Sequence, residues 1–250
     1  MRFAVIQIAD FSLQALLRLR PALRCEPVAI LAGEGRRAVV IQVSSLAAGI
    51  SPGMTAARAQ AECPALQLLS PSLCAEREAG ALLLAAGWSL SPQVEPTAAG
   101  LCTADITGAD RDALPARVSA LRAGLRAHGL EAKIGIGPNP LVARYAAHLA
   151  APECWVEDPS DFLPPLPISL LDLTDDEARL FADLGLRTLG ALTRLPRAAL
   201  ANRLGARGDE LWALAAGEWT KPIQPAPFPI RHVAETDLEE PVEKLEGLLF

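Results

Sequence analysis

The chain has 250 residues, a formal charge of −6 and 51% hydrophobic residues. That composition excludes a disordered chain and allows one large domain or two to three small ones. The acidic balance argues against strong non-specific DNA binding by the chain as a whole, and no apolar run is long enough for a signal peptide or a membrane span.

Phe3–Ala9 is a short Val- and Ile-rich run and reads as a buried strand. Phe11–Leu19 follows as a helix, with Phe11, Ala15 and Leu19 at i, i+4, i+8. Val28–Ala32 and Ala38–Val43 flank Gly33-Glu-Gly35 and suggest a hairpin. Thr55 can cap a helix over Ala56–Glu62, which Pro64 stops. Ser72–Leu90 reads as a longer helix. Leu101–Ile106 and Ala132–Gly137 read as strands on either side of a helix over Leu114–His128, which Gly129 ends. Asn139 precedes a helix over Pro140–Ala150. Strands alternating with helices argue an α/β layer with a mixed sheet.

Pro159–Pro167 holds four prolines and reads as a linker. Beyond it the pattern is helical. Thr174-Asp-Asp-Glu177 starts a helix with acids in its first turn, and Gly185 stops it. Thr188 starts another that ends before Pro196, and Arg197–Leu204 and Asp209–Ala216 follow. Lys221–Pro229 again holds four prolines and reads as a second linker. The five cysteines include no Cys-x-x-Cys pair, which fits a reduced cytoplasmic protein and gives no zinc signature. His128, His148 and His232 are scattered, with no second metal ligand at useful spacing.

Three segments carry a family resemblance. They are Phe3-Ala-Val-Ile-Gln-Ile-Ala-Asp-Phe-Ser-Leu-Gln-Ala, the stretch from Val94-Glu-Pro to Gly-Leu-Cys-Thr-Ala-Asp-Ile-Thr-Gly108, and Ile134-Gly-Ile-Gly-Pro-Asn-Pro-Leu-Val-Ala-Arg-Tyr. In this order they resemble the palm of the Y-family (UmuC- and DinB-like) translesion DNA polymerases. The resemblance implies an α/β palm with a small fingers module over residues 1–165 and an all-helical thumb over 166–230. Residues 231–250 would open a further, truncated little-finger domain.

Active members hold their metal ions on three carboxylates. At the matching positions this chain has Gln7, Gly100 and Leu101, and the ribose gate falls on Ser12. The residues matching the triphosphate contacts are Val43, Leu46 and Ala151. Mg²⁺ favours carboxylate oxygen, and Arg or Lys stabilises a transferring phosphoryl group. Six losses in one direction resemble the ImuB branch of the family. That resemblance implies no enzymatic activity, no cofactor and no metal site. It also implies a damage-induced scaffold role near the bacterial nucleoid. The implied partners are a sliding clamp, an error-prone replicative-type polymerase and a RecA-like accessory protein.

Two alternatives stand beside this. One is an active translesion polymerase using Mg²⁺ on displaced carboxylates, drawn from Asp10, Glu95 or Asp105. The structural alternative for Asp10 is a helix N-cap, and for Asp105 a strand-end turn. The other is a module that only binds DNA. Arg111–Arg144 and Arg179–Arg207 are locally basic. Leu184-Gly-Leu-Arg-Thr-Leu-Gly190 resembles the hairpin of a helix–hairpin–helix element, although Leu170–Thr174 stands where the first hairpin should be. Arg187, Thr188, Gly190, Arg194, Arg197 and Arg203 are therefore the candidate contacts to primer–template DNA, expected to be weak and salt-sensitive.

Overall fold

The Phe3–Ile8 run forms strand β1 at the centre of a five-stranded sheet. The computed structural model describes residues 2–218 and 221–228. The expectation for residues 231–250 lies outside them. In chain order, β1 is followed by α1 (Phe11–Leu19), β2 (Val28–Ala32), β3 (Val39–Val43), α2 (Ala56–Glu62) and β4 (Gln67–Leu69). Then come α3 (Leu73–Trp88), β5 (Val94–Ala98), β6 (Leu101–Asp105), α4 (Leu114–Ala127), β7 (Ala132–Gly137), α5 (Pro140–Leu149) and β8 (Glu153–Trp155). The rest is helical: α6 (Pro159–Phe162), α7 (Asp175–Asp183), α8 (Leu189–Thr193), α9 (Arg197–Leu204) and α10 (Ala206–Ala215).

The main sheet has the order β5-β6-β1-β7-β8. β1 is antiparallel to both neighbours, and β7 runs parallel to β8. Strand side chains alternate between faces. Ala4, Ile6 and Ile8 enter a core shared with α1, α3 and α4, whereas Phe3 and Val5 pack against Ala143 and Ala147 of α5. The approach of α5 is close because β7 presents glycine there. A Cβ on Gly135 would lie 2.0 Å from the Ala147 amide nitrogen.

A smaller sheet, β3-β2-β4, packs with α2 around Ala29, Val40, Ile50, Ala59 and Leu66. Gln42 of β3 joins it to the palm, its side-chain oxygen accepting the Leu13 amide at 2.8 Å. That amide is one of the donors that the first turn of α1 leaves open. Asp10 does stand at the N-cap position of α1, but in a left-handed conformation (φ 47°) and with no capping bond from its side chain.

The outer side of α5 belongs to a third core. Leu141, Val142, Tyr145 and Ala146 pack with Leu163, Phe181, Leu189, Leu192 and Leu211 of the helical unit. Tyr145 donates its hydroxyl to the Leu214 carbonyl at 3.2 Å, and Asn139 donates to the Gly217 carbonyl at 2.9 Å. Residues 221–228 return to the sheet edge, where Ala226 donates its amide to the Val94 carbonyl at 2.8 Å. Phe228 meets Trp88 edge-on with ring centroids 5.7 Å apart.

The mixed α/β palm followed by helices is as expected. The differences are local. β4, β5 and β8 were not foreseen as strands, the Pro159–Pro167 linker contains α6, and the last helix starts at Ala206 instead of Asp209. Among the described residues no helix is long and apolar enough to cross a membrane.

Replacing Gly135 by Ala should lower stability by about 3 kcal/mol, since the added methyl must displace the α5 backbone. Gly80→Ala in α3 meets nothing within 4 Å and should raise stability by about 1 kcal/mol. Urea midpoints measured with unchanged slopes would check both.

Candidate active site and nucleic-acid interface

Register places the key residues of the palm. Gln7 is the direct partner of Leu101 on β6 and of Lys133 on β7. Directly paired residues project to one face, so Leu101, Gln7 and Lys133 form a row across three strands on the α5 side. Two of the three expected metal positions, Gln7 and Leu101, are thus brought together. Gly100 is not part of the row. It sits at φ +73°, its carbonyl accepts the Ile8 amide at 2.8 Å, and a Cβ there would lie 2.7 Å from Phe11 Cβ. Glycine at 100 meets a packing demand of its own.

The remaining carboxylates are dispersed. Asp105 pairs with Phe3 at the far end of the ladder, about 13 Å along β6 from Leu101. Its carboxylate accepts the Thr107 amide at 2.9 Å, so it is a strand-end turn residue. Glu95 pairs with Thr103 and accepts the Gln224 amide at 2.5 Å. Asp10 is exposed at its turn. No group of three or more His, Cys, Asp or Glu among the described residues is placed to hold a metal ion.

Gln7 and Leu101 line a cleft of about 390 Å³ with Arg144, Tyr145 and His148 of α5 and with Ser169 to Asp172. The Gln7 side-chain oxygen is buried and has no hydrogen-bond partner. Lys133 Nζ lies 3.5 Å from the His148 carbonyl. Tyr145 is buried; desolvation raises its phenol pKa, with nearby Arg144 acting in the opposite direction. Ser12 is half-buried in the first turn of α1. Val43 packs into the small-sheet core, Leu46 is 51% exposed and Ala151 is exposed. A hard divalent ion needs oxygen ligands that carry charge. One amide, one alkyl chain and one ammonium do not fit a pair of Mg²⁺ ions.

The helical unit uses several of the candidate DNA contacts for its own folding. Thr188 caps α8 by accepting the Ala191 amide at 3.1 Å. Gly190 donates its amide to the Pro164 carbonyl at 3.1 Å, and a Cβ there would meet Pro164 at 2.8 Å. The amides of Gly185, Leu186, Leu189 and Gly190 are therefore already engaged within the fold. Arg197 is likewise a strut. It binds Asp209 through two bonds of 2.5 and 3.0 Å and Glu218 at 2.9 Å, and it lies 5.2 Å over the Trp212 ring. The Asp209 bond, then the Glu218 bond, raise its pKa further above the ordinary arginine value. Arg187, Arg194 and Arg203 are exposed and make no ion pair among the described residues.

Glu177 anchors the same unit. One oxygen accepts from Arg207 at 3.0 Å and the other from the Thr174 amide at 2.8 Å, closing a capping box. The Arg207 bond, helped by the Thr174 amide, holds the Glu177 carboxyl below its ordinary range against the opposing effect of burial.

A model described as the impB/mucB/samB family matches residues 6–148. The chain belongs to this family. It is 29% identical over 239 residues to a DNA polymerase IV of Caulobacter vibrioides, covering 91% of this chain and 59% of that protein. A DNA polymerase IV of Alkalilimnicola ehrlichii is 30% identical over 245 residues, with 92% and 69% covered. Among solved structures, DinB from Sulfolobus solfataricus matches with a TM-score of 0.76 at 18% identity, covering 90% of this chain and 70% of that one. An insertion ternary complex of Dbh DNA polymerase gives 0.76 at 17%, with the same coverage. The fold is that of the Y-family polymerases.

These family relatives correct two expectations. The chain was expected to be no enzyme and to take no cofactor, yet its relatives are named polymerases, an activity that runs on divalent metal. The expectation rested on six positions, whereas the likeness extends over nine-tenths of the chain. Arg144 and His148 were missed as cleft residues, and Lys133 as the neighbour of Gln7 in the sheet. The i, i+4 spacing of Arg144 and His148 was the available signal.

The contribution of Glu177 is fully present above its unfolded pKa of about 4.3 and is lost as pH falls through the lower folded value. The Tm gap between wild type and Glu177→Gln should be widest near neutrality and shrink below about pH 4. Thermal melts across that range would check it.

Proposed function

We propose that this chain is the palm, fingers and thumb portion of a Y-family-type DNA polymerase that engages primer–template DNA in translesion synthesis. Residues 1–165 would form palm and fingers, and 166–230 the thumb. The observation that carries the reading is the continuous likeness, over about nine-tenths of the chain, to proteins named DNA polymerase IV. In this reading the exposed Arg187, Arg194 and Arg203 contact backbone phosphate, where Arg supplies charge and donors without reading sequence. Arg197, Thr188 and Gly190 hold the helices that present them.

A second reading is favoured by the Leu101–Gln7–Lys133 row. It gives the chain an accessory position in the same process, as in the ImuB branch. There it would hold DNA beside a sliding clamp, an error-prone replicative-type polymerase and a RecA-like protein. Gln7, Leu101 and Ser12, together with Val43, Leu46 and Ala151, would then mark sites where family ligands are replaced.

Primer extension on a primed template, in Mg²⁺ and in Mn²⁺, separates the two. Extension by the full-length protein carries the first reading. Its absence at enzyme excess, with an active relative as control, carries the second. A Gln7→Asp, Leu101→Glu variant run alongside tests whether the row itself decides the outcome; Gly100 stays unchanged because a side chain there would strike Phe11. Replacing Arg187, Arg194 and Arg203 together by Gln should weaken primer–template binding and reduce the salt slope by about 3 units. Fluorescence anisotropy at several salt concentrations would check this.

A further inference from the structure

We infer that the palm cleft is a phosphate-binding site in which side chains, rather than a metal ion, hold the phosphate oxygens. The inference rests on the proposed function only in that a nucleotide or DNA would supply the phosphate. Its basis is the charge of the cleft. Where an ion-holding palm needs carboxylates, this one places Lys133 beside Gln7 in the sheet, next to the cleft lining, with its ammonium 3.5 Å from the His148 carbonyl. Arg144 and His148, one turn apart on α5, line the same cleft. The one acid lining it, Asp172, is exposed.

The neutral Gln7 is consistent with this charge. A carboxylate at position 7 would repel a phosphate that no metal neutralises. An amide adds no such repulsion, and the Gln7 side chain has a buried polar atom still in want of a partner. A nucleotide can answer both demands, with a hydroxyl for the amide and phosphate oxygens for the cations. Tyr145, Leu101, Leu170 and Leu171 supply apolar walls, and charge-assisted hydrogen bonds gain strength beside such walls. At about 390 Å³ the cleft has the size of a small-molecule site.

The source of the phosphate, free nucleotide or DNA phosphodiester, is open to experiment. The full-length protein would be titrated calorimetrically with pyrophosphate, with a deoxynucleoside triphosphate and with primed duplex, each in EDTA. Binding of at least one probe is expected, weakened about tenfold by Arg144→Gln and by Lys133→Gln. Gln7→Asp should weaken it as well, and Arg179→Gln, an exposed residue outside the cleft, should leave it unchanged. Circular dichroism would confirm that each variant is folded. Sensitivity of pyrophosphate or nucleotide binding to these changes assigns the site to a free nucleotide. Sensitivity of duplex binding alone assigns it to the DNA backbone. Binding that requires Mg²⁺, or that none of the changes at Arg144, Lys133 and Gln7 affects, overturns the inference. Failure of primer extension would leave pyrophosphate binding intact, so the two readings fail separately.

Discussion

The contact of α5 with the centre of the sheet is the constraint on which the remaining structure depends. Seven of the ten residues of α5 are buried, which is the pattern of a helix enclosed on nearly every side. One side rests on β1 and β7, where glycine at 135 and 137 removes the side chains that would hold it off. Another side supplies Leu141, Val142 and Tyr145 to the helical unit. What stays open is the strip carrying Arg144 and His148, and that strip lines the cleft. A single helix therefore closes the sheet, seats the thumb and sets the charge of the palm.

Smaller polar contacts transmit the same order outward. The first turn of α1 is completed by Gln42, a residue of the other sheet, so the small module and the palm share one capping bond. Gln14 extends this on the other side, donating to the Ala9 carbonyl at 2.7 Å and accepting the Glu131 amide at 2.7 Å. The Gln42 and Glu131 bonds join segments distant in sequence, and neither places a full charge inside. Both bonds satisfy backbone donors with neutral side chains.

Much of the fold could be read from residue order, for identifiable reasons. α1 and α4 have clear apolar periodicity, and Thr55 and Asn139 act as the side-chain caps their positions suggest. The short strands were hidden. β5 contains Glu, Pro and Thr and runs along the sheet margin, where proline is tolerated and packing asks little of composition. The site was readable where strand counting suffices, as for Gln7 and Leu101. Lys133 joins them only through the order of strands, which no local pattern specifies. Gly100 looked like a lost carboxylate, yet its backbone angle and the nearness of Phe11 explain it fully. Arg197 looked like a DNA contact because its partners Asp209 and Glu218 lie 12 and 21 residues away. Helical packing creates that pairing, and sequence proximity does not reveal it.

The return of residues 221–228 to β5 has a consequence for the chain as a molecule among copies of itself. An outer strand displays backbone donors and acceptors that any passing strand can bind. Here the protein's own downstream segment takes the Val94 carbonyl, and Phe228 lies against Trp88 beside it. A fragment ending at Gly217 would retain the buried residues of every core, lose Ile223 from the packing on Phe3 and Val5, and leave this margin bare. The segment after residue 217 therefore occupies a margin that an exposed edge strand would otherwise offer to a second sheet.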